Sequence, residues 1–273
     1  MPQRSRLTPV AAALLCLALL LISAGPSAGQ ASPARSATGP DAAALVEKIG
    51  ARIASYPKLE SWQARAHSTT SRMTSEWKPK STAVTEKIVT VEGGLWSEEI
   101  LSATETEDGK TRDITKKSQE EARERAEKQK RSTAEDRKSD QRSRGRRSLD
   151  MTRDEVLPFG PDKRAGYDFT VEGTADLDGS PAVLLRSRSR VRSEEKLEGL
   201  YYVDPGTGDV RRAELTLAKK PGPLKRMEME VDFRVLPEGH QVMTKAVMRI
   251  HVGLIVKNIR VEAVETYTDH VIR

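Results

Sequence analysis

Apolar and polar residues alternate without a break from Met227 to Val235. Met227, Met229, Val231, Phe233 and Val235 fall on one side and Glu228, Glu230, Asp232 and Arg234 on the other. That is the period of a half-buried β-strand. The same two-residue rhythm runs through Tyr167, Phe169 and Val171, through Val183 and Leu185, and through Ala246, Met248, Ile250 and Val252. It returns in Ile259, Val261 and Ala263 before Tyr267, and Ile255 stands ahead of that run. Between these stretches lie turn signals: Asp108-Gly109, Asp178-Gly179, Asp204-Pro205-Gly206 with Gly208, and Glu238-Gly239. Ahead of them, Trp62, Ala64 and Ala66 alternate, 83–92 is β-branched, and 95–104 carries Trp96 and Ile100, predicting three or four further antiparallel strands.

One stretch keeps helical time instead. Ala44, Leu45, Ile49 and Ile53, with Val46 beside them, follow Asp41 as cap and stop before Pro57, predicting an amphipathic helix of about four turns. From Thr115 to Arg147 the only apolar residues are alanines, and charged side chains recur four apart. This charged insert, at about 110–150, reads as a solvated helix fraying into the Ser-Arg-Gly tract 140–148. The sum is a mainly β (α+β) fold: an antiparallel incomplete β-barrel or strongly curved sheet of about nine to eleven strands, with the N-terminal helix covering its open side.

Composition changes the picture in two places. The formal charge of the 273 residues is +6, yet 110–147 holds fifteen Lys or Arg against eight Asp or Glu, so the basic character belongs to one insert. Residues 1–29 read as a signal peptide, with Arg4 and Arg6, an apolar run from Val10 to Ile22, and small residues before a cut after Gly29. A flexible leader follows over 30–40, and 41–273 is expected to form a single β domain. The only cysteine, Cys16, sits in the apolar run, so the mature chain has no disulfide and no thiol. These features predict a periplasmic or secreted bacterial protein.

In its C-terminal half the chain resembles the LolA/LolB-like superfamily of periplasmic outer-membrane lipoprotein-sorting and carrier proteins, in particular its uncharacterised exported members. The likeness rests on Asp178-Gly179 before the Val183 strand, 199–204 (Gly-Leu-Tyr-Tyr-Val-Asp), the return 207–211, the 227–233 strand, and 264–269. It implies an unclosed barrel behind a signal peptide, and a carrier for lipid or lipoprotein. The basic insert stands where that family carries apolar lid helices.

Three features bear on chemistry. The apolar sheet face, with Trp62, Trp96, Tyr167, Phe169, Met227, Met229, Phe233, Met248 and Ile250, is either an ordinary filled core or a surface for acyl chains, for which adaptable methionines beside aromatics are suited. Arg186, Arg188, Arg190 and Arg192 occupy alternate positions, and form either an anionic head-group row or a solvated face paired with acids such as Glu228 and Glu230. The basic insert reads as a spacer or as a transient contact with an anionic membrane surface. It has no aromatic residue to stack bases and no nucleic-acid fold around it, so no nucleic acid is expected.

His67, His240, His251 and His270 show no metal-ligand spacing, and no nucleophile elbow, Walker loop or dinucleotide fingerprint occurs. The sequence therefore predicts no enzyme, no cofactor and no metal. Its functional expectation is an exported lipid- or lipoprotein-binding carrier module. The alternative is an envelope sensor or interaction module of the same fold, with a filled core and a protein partner.

Overall fold

In the computed structural model, residues 41–92, 95–131, 156–254 and 258–273 are described. The expected signal peptide, the leader, the 140–148 tract and Ile255 lie outside them. Eleven strands form one antiparallel sheet: β1 (Ser61–Met73), β2 (Pro79–Glu92), β3 (Leu95–Glu107), β4 (Lys110–Asp113), β5 (Tyr167–Leu177), β6 (Ser180–Ser189), β7 (Leu197–Val203), β8 (Val210–Leu217), β9 (Leu224–Val235), β10 (Gln241–Gly253) and β11 (Asn258–Ile272). Their spatial order is β4-β3-β2-β1-β11-β10-β9-β8-β7-β6-β5. Two meanders, β1 to β4 and β5 to β11, are thus joined where the first strand pairs with the last. The sheet is open, with β4 and β5 as its edges.

The turns that were legible in the sequence set this register. Asp108-Gly109 and Asp178-Gly179 both place their two residues at positive φ (51° and 74°, 53° and 80°), the geometry of two-residue hairpins that follow strand twist. Gly199, inside β7, is fixed by crowding instead: a Cβ there would stand 2.0 Å from the Glu214 carbonyl oxygen on β8. Its N–H turns to the Ser187 hydroxyl at 3.2 Å.

Three helices are described: α1 (Ala42–Ser55), α2 (Thr115–Arg131) and the single turn α3 (Pro161–Arg164). α1 is the expected amphipathic helix. The Asp41 side chain caps the Ala43 N–H, and Leu45, Val46 and Ile49 are its buried positions. The charged insert is expected from its residues to be a solvated helix with no seat on the sheet. The structure begins that stretch with β4, follows it with α2, and packs α2 on β3 through Ala122, which is buried with Ile100 and Ala103. Alanine is enough there because the helix lies close to a strand whose own side chains supply the apolar surface.

Both long helices cover the same face. Ile250 pairs with Val261, Ala66 with Tyr267, Ala66 with Lys87 and Lys87 with Ile100. Residues directly opposite share a face, so the α1-covered side at β10 continues to the α2-covered side at β3. This is the inner face, and it holds the core.

Candidate functional site

The inner face is divided into two apolar clusters. The larger contains Met227, Met229, Phe233, Met248 and Ile250, with Leu45, Val46 and Ile49 of α1 above them. Phe169 packs against this cluster, and Tyr167 touches Phe169 with ring centroids 6.1 Å apart. Trp62 and Trp96 belong to the smaller one, with Ala64, Ala66, Val89 and Tyr267. Their rings meet edge to face at 6.0 Å. Met243 packs against both clusters.

Leu157-Pro158-Phe159-Gly160 stands between the charged insert and the Tyr167 strand and carries neither a strand nor a helix period. In the structure Val156, Leu157 and Phe159 are part of the large cluster. Phe159 is fully buried, stacked on Phe169 at 5.4 Å and edge-on to Tyr201 at 4.9 Å. The Tyr201 hydroxyl donates to the Val156 carbonyl at 3.2 Å, which gives the buried phenol a partner and fixes the segment. The part of the expected apolar surface in the larger cluster is therefore occupied by one helix and one loop of the chain itself.

α1 is tied down by the hairpin turn between β7 and β8. Lys48 Nζ donates to the carbonyls of Pro205 and Gly206, each at 2.7 Å. Arg52 Nε donates to Asp209 Oδ1 at 2.6 Å, and the Tyr56 hydroxyl donates to the same oxygen. The Arg52 guanidinium also lies 4.9 Å from the Tyr56 ring centre. Burial pushes the Asp209 carboxyl up, but hydrogen bonds from Arg52, Tyr56 and Thr207 outweigh it and hold the group below its usual value. Tyr56 is driven upward, first by burial and then by Asp209.

The smaller cluster borders a buried set of charges that sequence reasoning missed. Lys87 Nζ lies 2.5 Å from Glu98 Oε1 and 2.7 Å from Glu265 Oε1. Arg125 of α2 reaches the other Glu98 oxygen at 2.8 Å. Burial alone would lower the Lys87 pKa, yet Glu265 and Glu98 raise it above the ordinary lysine value. Burial would raise Glu98, and Lys87 with Arg125 lowers it below the ordinary glutamate value. The signal was present as a parity violation: Lys87 shares a strand face with Val89, Glu98 with Trp96 and Ile100, and Glu265 with Ala263 and Tyr267.

The arginine row is dispersed. Arg186 makes a two-point contact with Glu172 on β5 at 2.7 and 2.8 Å. Arg188 is exposed on β6. Arg190 and Arg192 lie past the end of that strand, Arg190 on Asp168 at 2.9 Å and Arg192 on the Ala218 carbonyl at 3.2 Å. The acids facing this row come from β5. Glu230 pairs instead with Lys245 at 3.1 Å, and Glu228 with Arg226 at 3.5 Å.

Two clefts open elsewhere on the described surface. One, of about 580 Å³, is lined by Glu105, Arg112, Asp113, Ile114, Lys116 and Lys117. The other, of about 300 Å³, lies between Leu236–Glu238 and Tyr267–His270. Among the described residues no group of three or more His, Cys, Asp or Glu is placed to hold a metal ion. None of their helices is long and apolar enough to cross a membrane.

No protein-family model and no curated protein sequence matches the chain. Among solved structures it is similar to a LolA superfamily protein from Nitrosomonas europaea, at 13% identity and a TM-score of 0.36, over 85% of this chain and 93% of that one. It is similar to a DUF1329 family protein from Desulfovibrio piger, at 11% identity and a TM-score of 0.39, over 85% and 92%. It is also similar to the lipoprotein LppX of Mycobacterium tuberculosis, at 12% identity and a TM-score of 0.25, over 84% and 95%. At such identities and TM-scores the likeness says nothing of what this chain binds.

Proposed function

We propose that this chain is an exported binding module, not a catalyst, whose apolar inner face holds the acyl chains of a lipid or of a lipid-modified protein. In this reading α1 and the 156–160 loop occupy that face in the absence of ligand. The observation that carries it is the nature of the cover. The methionine- and aromatic-rich surface of β9 and β10 is closed by a helix and a loop instead of by strands, and the polar ties of α1 to the β7–β8 turn gather at Lys48, Arg52 and Tyr56. Glu47 adds one ion pair, with Arg164 of α3 at 2.7 Å, and a helix held by such side-chain ties can leave its seat without breaking the sheet ladder. Export is taken from residues 1–29, and a passing contact with an anionic membrane from the basic insert.

The test is uptake of a fluorescent fatty acid by delipidated protein, with mass spectrometry of lipid that copurifies. Saturable uptake, faster in Asp209→Asn, supports the reading. Absence of both uptake and copurified lipid overturns it. One observation favours a second reading, an interaction module with a protein partner: Ile49, Phe159 and Tyr201 are fully buried, so the face is filled as it stands. A protein captured by the same delipidated chain, with no lipid probe bound, is the result that this reading expects.

A further inference from the structure

β3 is an edge strand for most of its length, because β4 pairs only with Thr104–Glu107. Such an edge leaves backbone donors and acceptors open to any strand that fits. Here α2 stands in the place of that strand. The Ile114 N–H donates to the Ala103 carbonyl at 2.9 Å. The Thr115 hydroxyl accepts from the Ala103 N–H at 2.9 Å and approaches the Ala103 carbonyl at 3.3 Å. Gln119 Nε2 donates to the Ile100 carbonyl at 3.0 Å.

The seat beneath is small and has a definite charge. Of the α2 side chains described, only Ala122 is buried. The sheet itself contributes Lys87, Glu98 and Glu265, one positive charge against two negative, and Arg125 supplies the fourth charge that makes the set neutral. Lifting α2 would leave a surplus carboxylate two residues from Ile100 on the same face, beside an Ile100 carbonyl and an Ala103 N–H that have lost Gln119 and Thr115.

We propose that the edge of β3 from Trp96 to Ala103 is a strand-addition site for an extended segment of a partner protein carrying a basic side chain, and that α2 fills it in cis with Arg125 in place of that side chain. An added strand would take the Ile100 carbonyl and the Ala103 N–H as ladder partners. It would set an apolar side chain against Ile100 and, two residues along, an arginine or lysine against Glu98. An acidic residue at that position would face Glu98 and Glu265 and be rejected. This site lies at the β3 edge of the sheet, away from the cluster that α1 covers, and does not depend on that cluster binding lipid.

The experiment compares the full chain with Arg125→Glu in a Gln119→Ala background, and with Ala122→Asp as an independent way of releasing α2. The probe is a labelled eight-residue peptide with valine and arginine at alternate same-face positions and threonine elsewhere. Its counterpart carries glutamate for arginine. Circular dichroism checks that the strand signal is retained. The released variants are expected to bind the arginine peptide at least tenfold tighter than the unaltered chain does, and at least tenfold tighter than they bind the glutamate peptide. Equal binding of the two peptides, or no gain on releasing α2, overturns the proposal. So does a dimer, seen by light scattering, that the arginine peptide does not dissociate.

Discussion

Lys87 on β2 reaches Glu265 on β11 across the whole width of β1, with 2.7 Å between Nζ and Oε1. The crossing is possible because β1 puts only Ala66 and Ser68 beneath it, Ala66 opposite Lys87 and Ser68 opposite Glu265. Both ends are nearly shielded from water, at 11% and 3% side-chain exposure. The Oε1 contact is one of charge and lacks hydrogen-bond alignment. Removing one partner of such a pair strands the other. Lys87→Ala, which leaves two carboxylates buried, is expected to lose about 3–5 kcal/mol in urea unfolding. The double variant Lys87→Met/Glu265→Leu is expected to lose less than the single one, since Glu98 keeps Arg125.

Gly199 is a position where only the absence of a side chain fits. A Cβ 2.0 Å from the Glu214 carbonyl cannot be accommodated by a rotamer change, because the obstacle is backbone. Gly199→Ala is expected to cost about 2 kcal/mol or more and to disturb the β7–β8 pairing. Thermal unfolding gives the cost, and amide exchange at Tyr201 and Leu215 shows where the ladder opens.

Much of this architecture was legible beforehand. Strand alternation and the Asp-Gly turns predict about nine to eleven antiparallel strands because they are local signals, and the α1 stripe is equally local; β4, four exposed residues inside the charged insert, carries no such signal. The role of the 204–209 turn was not legible. It reads as a hairpin from its own residues, while its service as the anchor of α1 depends on Lys48 and Arg52 arriving from more than a hundred and fifty residues earlier. The burial of Phe159 has no sequence signature for a related reason: a single aromatic between Pro158 and Gly160 carries no period. The apolar candidates Met227, Met229, Phe233, Met248 and Ile250 do come together in one cluster, whereas Trp62 and Trp96 form another. A two-residue rhythm gives the face of a strand but not which helix covers it.

The anchor can be weakened without touching the core. Asp209→Asn removes the charge that Arg52 and Tyr56 share, and is expected to cost about 1–2 kcal/mol, reduced from the full value of a charge-assisted bond by the exposure of Arg52. The folded-state pKa of Asp209 lies below its ordinary 3.8. Its contribution is therefore complete above that value and is lost as pH falls through the lower, folded-state value. The stability difference between the unaltered chain and Asp209→Asn should be constant from pH 5 to 8 and should shrink below about pH 3.8.

Phe159→Ala empties a fully buried site between Phe169 and Tyr201. The expected loss is about 3–5 kcal/mol. Because the vacated space is apolar, benzene or indole should recover part of it. A ligand-dependent rise in unfolding temperature in this variant alone would confirm that the loop serves as a plug for an apolar site.

In the proposed function an acyl chain and α1 compete for one surface. Amide hydrogen exchange of α1, followed residue by residue from Leu45 to Ile53 with and without saturating lauric acid, reports on that competition. Competition predicts that the acid binds and that exchange in α1 quickens, while the β9 and β10 amides stay protected. Binding that leaves α1 exchange unchanged, or no binding at all, would contradict it.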